Sequence, residues 1–173
     1  MGNRNIVGVA LHFIIYTAIQ LLFFRNVALF QNTFCYLYIA TIILLPFETG
    51  RIAQLFIGFA IGMFVDFFYD TLGMHAFASV FLAYARMVTL NYLQPSTGYE
   101  SGGKPLVREM GITWFATYAI ILVFLHHMVF FAIESSDFSL LLGTLVQSIG
   151  STIFTFTVIM IGQLVFYQKK AKA

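Results

Sequence analysis

The stretch Gly58-Phe-Ala-Ile-Gly62-Met-Phe-Val-Asp66-Phe-Phe-Tyr-Asp70-Thr-Leu-Gly73-Met-His75-Ala76 decides how the whole chain is read. It is strongly apolar, yet it carries two aspartates and a histidine. With Gln54 before it, the residues Gln54, Gly58, Gly62, Asp66 and Asp70 fall at successive i+4 steps and form one slanted ridge on a helix. Glycines on such a ridge let a second helix approach closely. Aspartates on the same ridge are costly against lipid, so they are expected to face protein or water. Leu72-Gly73 breaks the helix, with Gly73 the expected positive-φ residue, and His75 opens a return helix dotted with Ala76, Ala78, Ser79, Ala83 and Ala85.

The composition around this hairpin points to a membrane. The chain has 173 residues, 60% hydrophobic and 9% charged, where soluble domains carry about 25% charged residues. Mean hydropathy is +0.89. There is too little polar surface to face water on all sides, and the length suits one domain of five or six spans. The net charge of +2 is small, and the basic residues flank apolar runs, which excludes nucleic-acid binding as a reading. The 21 phenylalanines fit lipid-facing bulk and interfacial belts. Cys35 is the only cysteine, so no intrachain disulfide can form.

Six apolar segments follow in order, at 5–24, 33–46, 52–69, 75–92, 110–133 and 138–167, predicting an all-α integral membrane protein built as a six-transmembrane-helix bundle. The first is read as a retained span, because it exceeds a typical signal-peptide core and no Ala-x-Ala-like site follows it. The second is short and ends at Pro46. The last is too long for a straight crossing of a ~30 Å core and is expected to tilt; its row Gly143, Gln147, Ser151, Thr155 reads as a second packing ridge. The polar segment 94–109 reads as a loop. With the N-terminus inside, every lysine and arginine except Arg25 falls on the inner side: Arg4, Arg51, Arg86, Lys104, Arg108, Lys169, Lys170 and Lys172. That bias places both termini in the cytoplasm, with Asp70, Glu134 and Asp137 outside.

In this arrangement Gln20, Asp66, Asp70, His75, His126 and His127 gather near the outer face, Asp66 about 6 Å below Asp70 by helical rise. They form either a hydrogen-bonded plug or a site open to the outside. Asp66 reads as a cap for a neighbouring helix or as a functional charge; Asp70 and His75 sit at helix–turn junctions. His126 and His127 point about 100° apart and cannot act as a matched pair. The spacing fits no metal motif, and no nucleophile–base order or phosphate loop stands out, so neither a cofactor nor an enzymatic activity is expected.

The segment 62–78, continued by Tyr84-Ala-Arg86, resembles the rod shape-determining MreD family, whose signature is a Gly and an Asp on one helix followed by a Leu-Gly-x-His-Ala turn. Leu44-Leu-Pro-Phe-Glu48, Gly98-Tyr-Glu100 and His126-His127 resemble one branch of it. The resemblance implies a bacterial inner-membrane protein of the cell-wall elongation complex, without catalytic activity. It implies association with MreC, and through it with MreB, RodA and RodA's transpeptidase partner. It also implies a fold similar to the membrane substrate-binding subunits of energy-coupling-factor transporters, which keeps ligand binding at the outer polar cluster as the rival to a scaffold.

Overall fold

The computed structural model describes residues 3–30, 32–135 and 141–165. It is all-α apart from one two-residue hairpin. Helix α1 (Asn3–Ile19) widens into a π turn at Gln20–Phe24. The hairpin β1 (Ala28–Leu29) and β2 (Thr33–Phe34) follows, then a 3-10 turn at Leu37–Ile39 and a single helical turn, α2 (Ala40–Ile43). Next come α3 (Arg51–Tyr69), α4 (Met74–Tyr92), the short α5 (Val107–Met110), α6 (Ile112–Ser135) and α7 (Leu141–Val165). Among the described residues, four helices are long and apolar enough to cross a membrane: Val7–Phe24, Arg51–Tyr69, Ile112–Ser135 and Leu142–Val165. Helix α4 matches α3 in length, but Arg86, His75 and its small residues dilute its apolar character.

The α3–α4 hairpin is close-packed where its glycines stand. A Cβ on Gly58 would lie 2.8 Å from the Ser79 carbonyl oxygen, and one on Gly62 would lie 2.5 Å from the His75 carbonyl oxygen. No side chain fits there, so backbone meets backbone. Gly73, at φ 87°, turns the chain into α4. Asp70 departs from the expected ridge: it adopts a left-handed conformation at φ 57° as the C-cap of α3 and is exposed, whereas Gln54, Gly58, Gly62 and Asp66 are buried. The ridge stops at Asp66 because the helix ends at Tyr69, and the next i+4 position, Asp70, is already turn. Phe56, Phe59, Met63 and Phe67 cover the opposite, exposed face of α3, as a lipid-facing surface requires.

The expected second span, 33–46, is not one helix. It enters extended, tightens into a 3-10 turn and completes a single α-turn, while every residue from Cys35 to Leu45 is buried. Irregular backbone is tolerated at membrane depth only inside protein, where other groups satisfy its N–H and C=O. That condition is met by side chains from four helices. Phe34 N–H donates to Ser151 Oγ (2.9 Å) and Tyr36 N–H to Thr155 Oγ1 (3.1 Å). Leu37 N–H donates to Gln20 Oε1 (2.6 Å), and Gln20 Nε2 donates back to the Cys35 carbonyl (3.0 Å). Farther along, Tyr118 OH donates to the Ile43 carbonyl (2.8 Å), and Arg86 donates to the carbonyls of Leu45 and Pro46.

Helix α7 supplies two of these partners, and its buried row is Thr144, Ser148, Ser151, Thr152 and Thr155. Gly143 and Gln147 of the expected ridge lie off it, Gly143 exposed with nothing within 4 Å of a Cβ. The loop before α5 is ordered against the turn after 46: Phe47 stacks on Tyr99 at 4.1 Å, and Phe47 N–H donates to the Gly103 carbonyl (3.1 Å). Glu48 accepts from Ser101 Oγ (2.6 Å) and Gly102 N–H (2.9 Å), which holds its carboxyl below the usual carboxylate range. The expected outer Asp137, the inner Lys169, Lys170 and Lys172, and positions 138–140 and 166–167 of the last span lie outside the described residues.

Candidate functional site

Asp66 comes from the last turn of α3 and reaches the start of α4. Its Oδ1 accepts from the His75 N–H (3.0 Å) and Thr71 Oγ1 (2.5 Å), and its Oδ2 accepts from the Ala76 N–H (2.8 Å). Gly73, the N-cap residue of α4, has no side chain to do this. The first amides of a helix lack intrahelical acceptors and carry the positive end of its dipole. A carboxylate from the preceding helix therefore serves as cap and counter-charge together. It is 4% exposed, and every contact it makes requires an acceptor.

His75 then points into the bundle beneath this cap. Tyr38 Oη lies 3.1 Å from His75 Nδ1 and 2.8 Å from His126 Nε2, with Ser79 Oγ at 3.5 Å. One phenolic proton can serve only one imidazole, so at least one of the two rings must donate its N–H to Tyr38 unless the contact is left empty. The far nitrogens, His75 Nε2 and His126 Nδ1, are buried without a hydrogen-bond partner among the described residues. His127 is fixed differently. Its Nδ1 lies 2.7 Å from the Val123 carbonyl and so carries the proton, which leaves Nε2 to accept from Thr155 Oγ1 at 3.3 Å. Tyr36 fills the space between the three rings, with its centroid 5.1 Å from His75, 6.0 Å from His126 and 5.4 Å from His127.

Gln20, Asp66, His75, His126 and His127 thus sit around one inserted segment, all of them buried. Asp70 does not join them. The cluster is packed with aromatic rings: Phe130 stands 4.5 Å from His75, and Tyr69 OH accepts from Gln20 Nε2 at 2.7 Å. No group of three or more His, Cys, Asp or Glu that could hold a metal ion occurs among the described residues.

Sequence reasoning passed over three central residues. Tyr36 and Tyr38 look like ordinary span aromatics until the segment carrying them is seen to be inserted. Arg86 reads as a topology signal, yet it is fully buried, its Nη1 donating to Gln54 Oε1 at 2.7 Å. Gln54 in turn donates to the Thr49 carbonyl (3.1 Å). A guanidinium beside the carbonyl end of α2 suits the negative end of that turn and pins the inserted segment at the end opposite Asp66.

A separate cleft of about 640 Å³ opens between α1, α7 and the chain around α5. Its walls are mainly apolar, and His12, Lys104, Arg108 and Gln163 are among its polar lining residues. No family model, no curated protein and no solved structure matches the chain.

Proposed function

We propose that this chain is a non-enzymatic scaffold of the bacterial cell-wall elongation complex, of the MreD type. In this reading it lies in the inner membrane with both termini cytoplasmic. The proposal counts six crossings: the four apolar helices, α4, and the inserted segment 33–46, which runs from the level of Gln20 and His75 to that of Arg86. Arg25, over the Tyr69 ring at 5.9 Å, is assigned to the outer side in this proposal. The family reading rests on the segment 62–86.

The observation that carries the scaffold reading is the way the polar cluster is filled. Asp66 is used up as a helix cap, His127 is satisfied on both nitrogens, and Tyr36 and Tyr38 occupy the space between the rings. A binding site needs a cavity of roughly 300 Å³ or more for a small molecule, and aromatic side chains stand where one would open. That packing supports the scaffold reading over its rival, a ligand-binding or transport subunit working through this cluster.

In this proposal an exposed helix face docks MreC, a single-pass partner, with MreB, RodA and its transpeptidase in the same assembly. The test is purification of tagged protein in mild detergent from a rod-shaped host, with the co-purifying proteins identified. MreC at near-stoichiometric recovery is expected. Recovery of transporter energy-coupling subunits in its place would overturn the scaffold reading.

A further inference from the structure

We propose that the cleft between α1 and α7 is a binding site for one anionic phospholipid, with an acyl chain along its apolar walls and the phosphate at Lys104 and Arg108. The site is distinct from the polar cluster, and the proposal stands whether or not the scaffold reading does.

Volume and chemistry argue together. About 640 Å³ is within the range of small-molecule sites. Leu11 and Ile15 of α1 and Val158 and Ile161 of α7 line it. The polar part of the lining is Lys104, Arg108, His12 and Gln163, with Gln163 Oε1 accepting from the Val107 N–H beside Arg108 (3.3 Å). The Lys104 ammonium lies against α1 where Gly8 lacks a side chain, 3.6 Å from where a Cβ would stand.

The two cations of the lining differ in their partners. Among the described residues the ion pair is Arg108–Glu109, with Nε and Oε1 3.8 Å apart, while the other Glu109 oxygen accepts the Lys104 backbone N–H at 2.6 Å. Glu109 is thus engaged by Arg108 and by a backbone amide, and among the described residues the Lys104 ammonium has no carboxylate within ion-pair distance. An apolar trough with an unpaired ammonium among its lining groups complements a molecule with a long apolar chain and an anionic head. Basic residues near a bilayer surface favour anionic over zwitterionic lipid severalfold each, so two should give on the order of tenfold preference or more.

The test uses the full chain in detergent, offered phosphatidylglycerol, phosphatidylcholine of the same chains, or inorganic phosphate. Retained lipid is counted by native mass spectrometry. Phosphatidylglycerol should be retained about tenfold over phosphatidylcholine, and inorganic phosphate should not displace it. Lys104→Gln with Arg108→Gln should abolish the preference. Gly162 lines the cleft, and a Cβ there meets nothing within 4 Å, so Gly162→Phe should fill the trough and lower retention of both lipids with the charges intact. Equal retention of the two lipids by the unaltered protein overturns the proposal, as does a preference that survives the double substitution. Displacement by inorganic phosphate would make the site one for a free anion. If the double variant does not fold, Gly162→Phe decides alone, and unchanged retention there refutes the site.

Discussion

Replacing Asp66 separates a helix cap from a simple polar residue. Asp66→Leu removes the acceptor from two buried amides, those of His75 and Ala76, and from the Thr71 hydroxyl. A buried donor left unpaired costs about 1–3 kcal/mol, and loss of an N-cap typically costs about 1. Losing two amide acceptors, less the relief of a desolvated carboxylate, gives about 2–4 kcal/mol. Asp66→Asn is milder but not silent. Its oxygen can keep the His75 and Thr71 bonds, but its amide nitrogen then faces the Ala76 N–H, donor against donor, costing about 1–3 kcal/mol. The geometry that demands two acceptors is not visible in the sequence alone. Cys35, the only cysteine and 1% exposed, supplies the assay. Its labelling by a thiol reagent in detergent reports opening of the core around the inserted segment. Each 1.4 kcal/mol is tenfold in an opening equilibrium, so Asp66→Leu should speed labelling on the order of a hundredfold. Asp70→Leu, on the exposed turn, should change it little. Wild-type labelling in Asp66→Leu would refute the cap.

Other expectations follow from the same contacts. Gly62→Leu should lower folded protein sharply, because a Cβ there lies 2.5 Å from the His75 carbonyl oxygen, while Gly143→Leu should be tolerated; equal abundance of the two in membranes would contradict the packing. Tyr38→Phe leaves two imidazole nitrogens facing no partner and should destabilise by about 1–3 kcal/mol, read as faster Cys35 labelling; an unchanged rate would remove Tyr38 from the network. The Glu48 carboxyl is held below its ordinary pKa, chiefly by the Ser101 hydroxyl and then by the Gly102 N–H. Its stabilisation of the loop is therefore present above the ordinary carboxylate value and lost as pH falls through the lowered one. The Gly102 amide shift should titrate at that lowered midpoint, and Ser101→Ala should move the midpoint up; no movement would count against the clamp.

Much of the architecture was legible because it depends on local signals. Apolar run length marks α1, α3, α6 and α7, and the Gly58/Gly62 spacing with Gly73 marks the hairpin between α3 and α4. The segment 33–46 was not legible as irregular. Its apolar residues read alike as helix or strand, and what breaks the helix is the set of side-chain partners brought by Gln20, Ser151, Thr155, Tyr118 and Arg86 from 12 or more residues away. The partners of Arg86 were missed for the same reason: basic residues near span ends usually report orientation, and only the fold reveals carbonyls around this one. Of the expected row on α7, Ser151 and Thr155 are buried as read, while its first two positions fall to Thr144 and Ser148, because Gly143 and Thr144 are equally plausible as small packing residues. Nothing local flags the α1/α7 cleft, since it joins the first and last described helices.

The central claim is that the buried polar residues hold the fold and do not themselves perform the function. It is tested most directly by measuring rod-shape complementation against membrane abundance for Asp66→Asn, Tyr38→Phe, His75→Gln and His126→Gln, in a rod-shaped host whose own copy is deleted. The account predicts that cell shape tracks the amount of folded protein along a single curve. Spherical cells at normal abundance for any of the four would contradict it and make that residue part of a working site.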